Sequence, residues 1–427
     1  MFKQTLFPIW SLLFGIAILT MASALQSSLI GIRASLENFD TTATGLIMSA
    51  YYLGFIIGSL LVPDWVKNVG HIRVFAAVAS LASITILMQS VVVNPWFWML
   101  MRMGTGLCYA ALFIVTESWL NDIATNNTRG RLFSIYIIEI WASQTLGQFL
   151  LNLSSPSGYG LFILTSVLIS LALVPLLLVR TPSPTINVPE KLNILGLIKT
   201  APLGVTGVTI AGATSGALLG LGALYAQSIG MDVIEISLFI GASYIGGMFL
   251  QWPIGLLSDR QDRRVTILWV GIVGAITAMV VPLGNNMNNQ ILMMVGMFLV
   301  GAFTFPMYSL ASSHMNDQLR PEQILSASSG MILLNGIGGM TGPLIAASLM
   351  DMIRIDALFW FVAAMNMSVA LVAIYRIHYQ PAMVIEEQGD QIQVALAVSS
   401  VATAEMLIEA DSSIEPLEES HEVEIKL

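Results

Sequence analysis

The sequence predicts an all-α integral membrane fold: twelve transmembrane helices in two pseudo-symmetric six-helix bundles. Three observations carry this prediction. The 427 residues are 56% hydrophobic and only 10% charged, whereas soluble chains carry about 25% charged residues. Apolar segments recur along most of the chain at lengths near the ~20 residues that cross a bilayer as helix. A short charged hairpin, GLLSDRQDRR (255–264), carries five charges between two apolar runs, and a weaker copy lies 192 residues earlier around PDWVKNVGH (63–71).

The twelve apolar segments are 9–30, 42–63, 73–93, 96–119, 131–153, 159–180, 203–228, 235–257, 265–285, 290–313, 325–349 and 357–379. Backbone polar groups inside lipid must pair internally, which helices achieve within one segment. The runs lack the alternation of a transmembrane barrel. The first shows no small-residue cleavage site, so it is read as a span rather than a signal peptide. The single cysteine, Cys108, sits in an apolar run and excludes an intrachain disulfide.

The repeat extends beyond the hairpins. Ala50-Tyr51-Tyr52-Leu53-Gly54 lies over Ala242-Ser243-Tyr244-Ile245-Gly246, Lys67 over Asp259 and Gly70 over Asp262. At an offset of 195, Gly106 lies over Gly301, Asn121-Asp122 over Asn316-Asp317 and Gly147 over Gly342; at 201, Gln26-Ser27 lies over Gln227-Ser228. Duplication on this scale is expected of transporters built from two similar bundles. The expected division is residues 1–180, a Pro-rich linker 181–202, residues 203–379, and a tail 380–427.

The tail holds eleven of the 26 acids and one base, so the net charge of −9 belongs to it; the remainder has sixteen bases and fifteen acids. Such a tail is expected to be solvated, with a short helix around 394–409. With the N-terminus placed inside, fourteen Lys and Arg fall on inner loops and termini and two, Arg33 and Arg354, on outer loops. The positive-inside rule then places both termini in the cytoplasm.

Several stretches resemble the major facilitator superfamily. Gly255, Leu257, Asp259, Arg260, Arg263 and Arg264 resemble its loop signature between the second and third spans of a half, with Asp262 where a second glycine is usual. Arg102 with Gly106 resembles its fourth-span arginine motif, with Cys108 in place of a frequent glycine. NGIGGMTGP (335–343) resembles its eleventh span, and TESWLND (116–122) with RGRLFSIY (129–136) resembles a poorly characterised bacterial subgroup of permeases. The resemblance covers about residues 1–379. It implies two bundles around a central cavity that opens alternately to each side, lined by spans one, four, seven and ten. It also implies a cytoplasmic gate in which Asp259, with Arg260, Arg263 and Arg264, meets Arg129 and Arg131 at the start of span five. A carboxylate is stabilised at a helix N-terminus. Lys67 fills the equivalent slot of the first half, so the latch is expected to be asymmetric.

Three charges fall within or close to the apolar core, where an unpaired central charge costs at least ~2.5–3.5 kcal/mol. Arg102 lies roughly 9 Å into span four at 1.5 Å per residue. Its guanidinium offers a fork for a carboxylate or a relay partner; the alternative is a side chain snorkelling to the outer interface. Glu117 is expected to hold the corner with Arg129 or Arg131. Glu139 is the candidate proton carrier, because burial raises a carboxyl pKa; a structural hydrogen bond is the alternative. Gln26, Gln227, Trp252 and Asn335 are further candidates for the solute pathway, and each could equally serve helix packing. Gly212, Gly216 and Gly220 share one face of span seven and favour close packing.

No phosphate-binding GxxxxGK[ST] loop, His/Cys cluster or nucleophile–base pair is present. The expectation is therefore a monomeric secondary transporter of a small molecule, coupled to protons, and neither an enzyme nor a nucleic-acid binder, with no cofactor or metal. Drug or metabolite efflux by antiport is an alternative; TLGQFL (145–150) has Gln148 where family antiporters tend to carry proline. A membrane sensor or scaffold using the acidic tail is the other.

Overall fold

The computed structural model describes residues 2–123, 129–178, 194–319 and 321–379, and the expected tail, most of the linker and the 394–409 helix lie outside them. The regular structure of the described residues is all helical, with no strand. The helices are α1 (Phe2–Leu36), α2 (Thr41–Val69), α3 (His71–Val91), α4 (Pro95–Ile123), α5 (Arg129–Phe149) and α6 (Gly160–Leu178). After the short α7 (Ile194–Thr200) come α8 (Pro202–Ser228), α9 (Val233–Asp259), α10 (Arg263–Ala278), α11 (Val280–Asn286), α12 (Gln290–Thr304), α13 (Pro306–Asn316), α14 (Pro321–Met352) and α15 (Ala357–Tyr379). Ten of the resulting segments are long and apolar enough to cross a membrane. The fifth and sixth expected spans are α5, which carries Glu139, and α6, whose apolar stretch is shorter.

Expected spans nine and ten are each broken in two. Pro282 and Pro306 explain this: proline lacks an N–H and its ring clashes with the carbonyl four residues earlier. α10 gives way to α11 at Met279, three residues before Pro282, and α12 to α13 at Phe305, immediately before Pro306. Several helices also outrun the expected spans, as α2 does by reaching Val69.

Packing repeats between halves. In the first, α1 packs on α5 and α6, α2 on α4, and α3 on α4 and α6; in the second, α8 packs on α14 and α15, α9 on α12, and α10 on α12 and α15. Across the seam α1 meets α8, α2 meets α14, and α5 meets α9. The closest crossings repeat as well. A Cβ on Gly54 would lie 1.8 Å from the Met103 carbonyl oxygen, and one on Gly246 1.9 Å from that of Phe298. The partners are reciprocal: Gly106 faces the Tyr51 carbonyl at 1.9 Å and Gly301 that of Ser243 at 2.0 Å. Backbones this close exclude any side chain, the usual route to tight helix association in lipid. Gly54 and Gly246, Gly106 and Gly301 are the pairs matched by the sequence repeat.

Outward-facing side chains such as Leu81, Ile163, Phe249, Trp269 and Leu371 are exposed, a surface suited to hydrocarbon. The two ends of the bundle differ. One carries the 69–71 and 259–263 turns and is called the basic end below; the other carries the 36–41 and 352–357 turns.

Candidate functional site

A cavity lies at the seam between the halves. The first half contributes Ser23 and Ser27 of α1, Met48, Tyr51 and Tyr52 of α2, and Arg102 of α4, with Gln144 of α5 beside them. The second contributes Ser215 of α8, Tyr244 of α9 and Asn335 of α14. Helices from both halves therefore build one chamber, and Tyr52 and Tyr244, equivalent in the repeat, both face it.

Arg102 is the charged side chain among the described residues lining this chamber, and it is only 4% exposed. Its guanidinium carbon sits 4.7 Å from the centre of the Tyr51 ring, and its Nη2 approaches the Met48 sulfur at 3.8 Å. Its Nε has no hydrogen-bond partner among the described residues. The groups that act on it electrostatically are the phenols of Tyr51, Tyr52 and Tyr109. A desolvated cation–π contact is worth roughly 0.5–2 kcal/mol, against at least ~2.5–3.5 kcal/mol for an unpaired charge at mid-membrane. Tyr51 therefore offsets only part of the cost of holding this cation, and does not replace an anion.

The other candidates are spread out. Asn335 lines the chamber and donates to the Val208 carbonyl at 3.3 Å. Gln26 is buried at 1% exposure and Gln227 is half-buried near the end of α8; neither lines the chamber. Trp252 is 62% exposed and also lies away from it. Gln148 accepts from Ser28 at 2.6 Å and donates to the Ala24 carbonyl at 3.2 Å, so it ties α5 to α1. Gly212 and Gly216 pack against the backbone of Asn335 and Gly339, while Gly220 borders the chamber against Met48.

Glu139 is largely removed from solvent, and neither carboxylate oxygen has a hydrogen-bond partner among the described residues. Its charge acts on Tyr136, one turn earlier, whose hydroxyl donates to Glu117 at 2.6 Å. Glu117 is fully buried. Its expected partners Arg129 and Arg131 begin α5, but their side chains lie outside the described residues.

At the basic end Asp259 accepts from Arg263 at 3.1 Å. Arg263, 1% exposed, also donates from Nη1 to both oxygens of Asp317 at 2.9 Å. Asp262 caps α10, accepting from the Arg264 backbone at 2.9 Å and from its side chain. Burial pushes the Asp262 carboxyl up, but the hydrogen bonds from Arg264 outweigh it and hold it below the ordinary value. Arg264 also donates to the Arg376 carbonyl at 3.3 Å, and Arg260 is exposed.

At the opposite end, among the described residues, three hydrogen-bonded contacts join the halves. Ser27 donates to the Leu219 carbonyl at 2.9 Å, the Thr42 backbone to Asp351 at 2.7 Å, and Asn152 to Ser237 at 3.0 Å. Trp141 of α5 stacks on Phe305 at 5.3 Å and meets Tyr244 at 6.2 Å, closing the seam near mid-height.

Sequence reasoning reached Arg102 and Asn335 but not Tyr51, Tyr52 and Tyr244 as chamber residues. The repeat match that contains all three was the available signal.

A two-fold repeated, membrane-spanning helical bundle with a chamber at its seam defines a transporter. The Major Facilitator Superfamily model matches residues 12–329 and again 203–408, and the chain belongs to that superfamily. Two similar proteins are described as the uncharacterized MFS-type transporter YcaD. That of Salmonella enteritidis PT4 is 28% identical over 366 residues, 84% of this chain and 93% of the relative. That of Salmonella typhi is 28% identical over 381 residues, 88% and 97%. Among solved structures, the nucleoside transporter NupG superposes with a TM-score of 0.74 at 14% identity, covering 87% of this chain and all of that one. The xylose transporter XylE from E. coli, in a partially occluded inward-open conformation, gives 0.64 at 13% identity, covering 88% and 98%. These two show the fold. The chain is thus an integral membrane transporter, not an enzyme.

Proposed function

We propose that this transporter moves a small solute through the seam chamber by alternating access, driven by protons that Glu139 takes up and releases. The observation that carries the coupling is Glu139 itself: a carboxylate in a spanning helix whose oxygens find no partner among the described residues. Among the described residues no ion pair balances its negative charge, so gain and loss of a proton is the change its surroundings reward. Tyr136 stands one turn away on the same helix, its hydroxyl donating to Glu117.

The hydrogen bonds and aromatic contacts at and above mid-height support a state sealed at the end opposite the basic one. The basic end is the cytoplasmic one under the fourteen-to-two distribution of Lys and Arg, which makes this state inward-facing. The units are residues 1–180 and 203–379, joined by 181–202 and followed by the tail 380–427, in a monomer of a bacterial inner membrane. Asp259, Arg260, Arg263 and Arg264 form one side of the cytoplasmic gate, and Glu117, Arg129 and Arg131 the other.

The test is flux in proteoliposomes with and without an imposed proton gradient, using nucleosides, sugars and organic acids as cargo. Glu139→Gln is expected to abolish gradient-driven accumulation while leaving solute binding within about two-fold. Gradient-driven accumulation by Glu139→Gln at the wild-type rate would end the assignment.

A further inference from the structure

The chamber's chemistry narrows the cargo. Its side chains include one full positive charge, from Arg102, and no carboxylate among the described residues that line it. That side chain is nearly fully buried, and its Nε has no hydrogen-bond partner among the described residues. The ring of Tyr51 supports one face of it, and among the described residues its N–H edge meets only the Met48 sulfur, a weak acceptor. A planar fork of donors matches the paired oxygens of a carboxylate or phosphate. Around it, Tyr52 and Tyr244, one from each half, line the chamber as flat apolar bodies with polar tips, and Gln144 and Asn335 supply neutral polar groups.

Resting on the reading of this chamber as the solute site, we propose that it selects organic anions: small solutes carrying a carboxylate or comparable oxyanion on a flat, apolar body. Arg102 anchors the oxyanion, and the tyrosines hold the body. Among the described lining residues the second half contributes no cation, so the anionic end binds toward α2 and α4. The same placement explains why Arg102 is held in an apolar helix without an acidic neighbour among the described residues: the missing negative charge arrives with the solute.

The experiment measures the chamber's selectivity directly. Ser23, which lines the chamber and is half-buried, is changed by Ser23→Cys in the full chain carrying Cys108→Ala, reconstituted in vesicles. Labelling rates are measured from each side with two methanethiosulfonates of similar size, one bearing a sulfonate and one a trimethylammonium group, each normalised to its rate on a free thiol. The sulfonate is expected to react about ten-fold faster after normalisation, the scale on which a charged cleft concentrates a counter-ion. Arg102→Gln should remove that preference and Arg102→Lys should keep most of it. Equal normalised rates in the parent, or a preference untouched by Arg102→Gln, overturn the proposal. If Arg102→Gln fails to fold by size exclusion, the parent's ratio and Arg102→Lys still decide. Protection of Ser23→Cys by benzoate or by phenyl phosphate identifies the preferred oxyanion, while equal or better protection by benzamide or benzylammonium overturns the anion reading. Labelling needs no turnover, so loss of the anion preference leaves the Glu139 flux test standing, and a failed flux test leaves this one standing.

Discussion

The turns at 69–71 and 259–263 occupy equivalent places in the two halves, yet they join their helices by different means. Gly70 is the whole of the first turn, at φ 94° and ψ 152°, a region open essentially to glycine alone. Its position in the second half is held by Asp262, at φ −56°, which closes the turn with its side chain by capping α10. The charges diverge in step. Lys67 and Asp64 are exposed, and neither has an ion pair among the described residues. Asp259, in the slot of Lys67, pairs with an Arg263 that is buried and also bonded to Asp317, 54 residues away in sequence. One duplicated hairpin turns on the backbone freedom of a glycine and the other is a charged staple across α9, α10 and α13. Duplication thus preserves the crossing geometry of the helices while leaving the loops free to specialise.

The largest expected effect breaks that contrast directly. Arg263→Ala strips the buried partner from Asp317 and Asp259 and should cost about 3–5 kcal/mol, read as a fall in melting temperature and in the monodisperse yield after purification. Lys67→Ala should stay within about 0.5 kcal/mol. Equal losses in the two variants would show that the halves are stapled alike.

A smaller effect tests where the halves remain the same. Gly54→Ala and Gly246→Ala each drive a Cβ into a carbonyl of the facing helix, and each should cost about 1–3 kcal/mol by overpacking. The two losses should agree with each other, unlike the pair above. A tolerant Gly246 beside an intolerant Gly54 would mean that the second crossing is looser than the first.

The smallest effect is a pH dependence confined to the second hairpin. The Asp262 carboxyl is held low by its hydrogen bonds to Arg264. Its contribution to stability is therefore present above the unfolded carboxyl value, about 3.9, and is lost as pH falls through the lower folded value. Melting temperatures of the parent and Asp262→Asn should differ at pH 6 and converge below pH 4. A gap that persists unchanged at pH 3 would assign the Asp262 effect to packing.

The sequence made the helical class, the number and order of the spans and the repeat legible, because in lipid each follows from apolar length and internal hydrogen bonding. It also exposed Arg102 and Glu139, since charges in an apolar run stand out. Facing was harder. Gln26, Gln227 and Trp252 lie in helices that are apolar nearly all round, and without a polar face nothing in the order of residues sets rotation about the axis. Tyr51, Tyr52 and Tyr244 were hidden for the same reason, as aromatic residues in apolar segments serve core, lipid and chamber alike.

Composition and repeat by themselves determined that this is a duplicated helical membrane protein with a few costly charges inside. Tertiary structure alone decided which of those charges meet. It gave Arg263 the distant Asp317 and placed Tyr136 against Glu117. It left Arg102 over Tyr51 with no carboxylate among the described lining residues. Local sequence governs whether a segment can cross the bilayer, but the partner of a buried charge is set by how helices far apart in sequence pack.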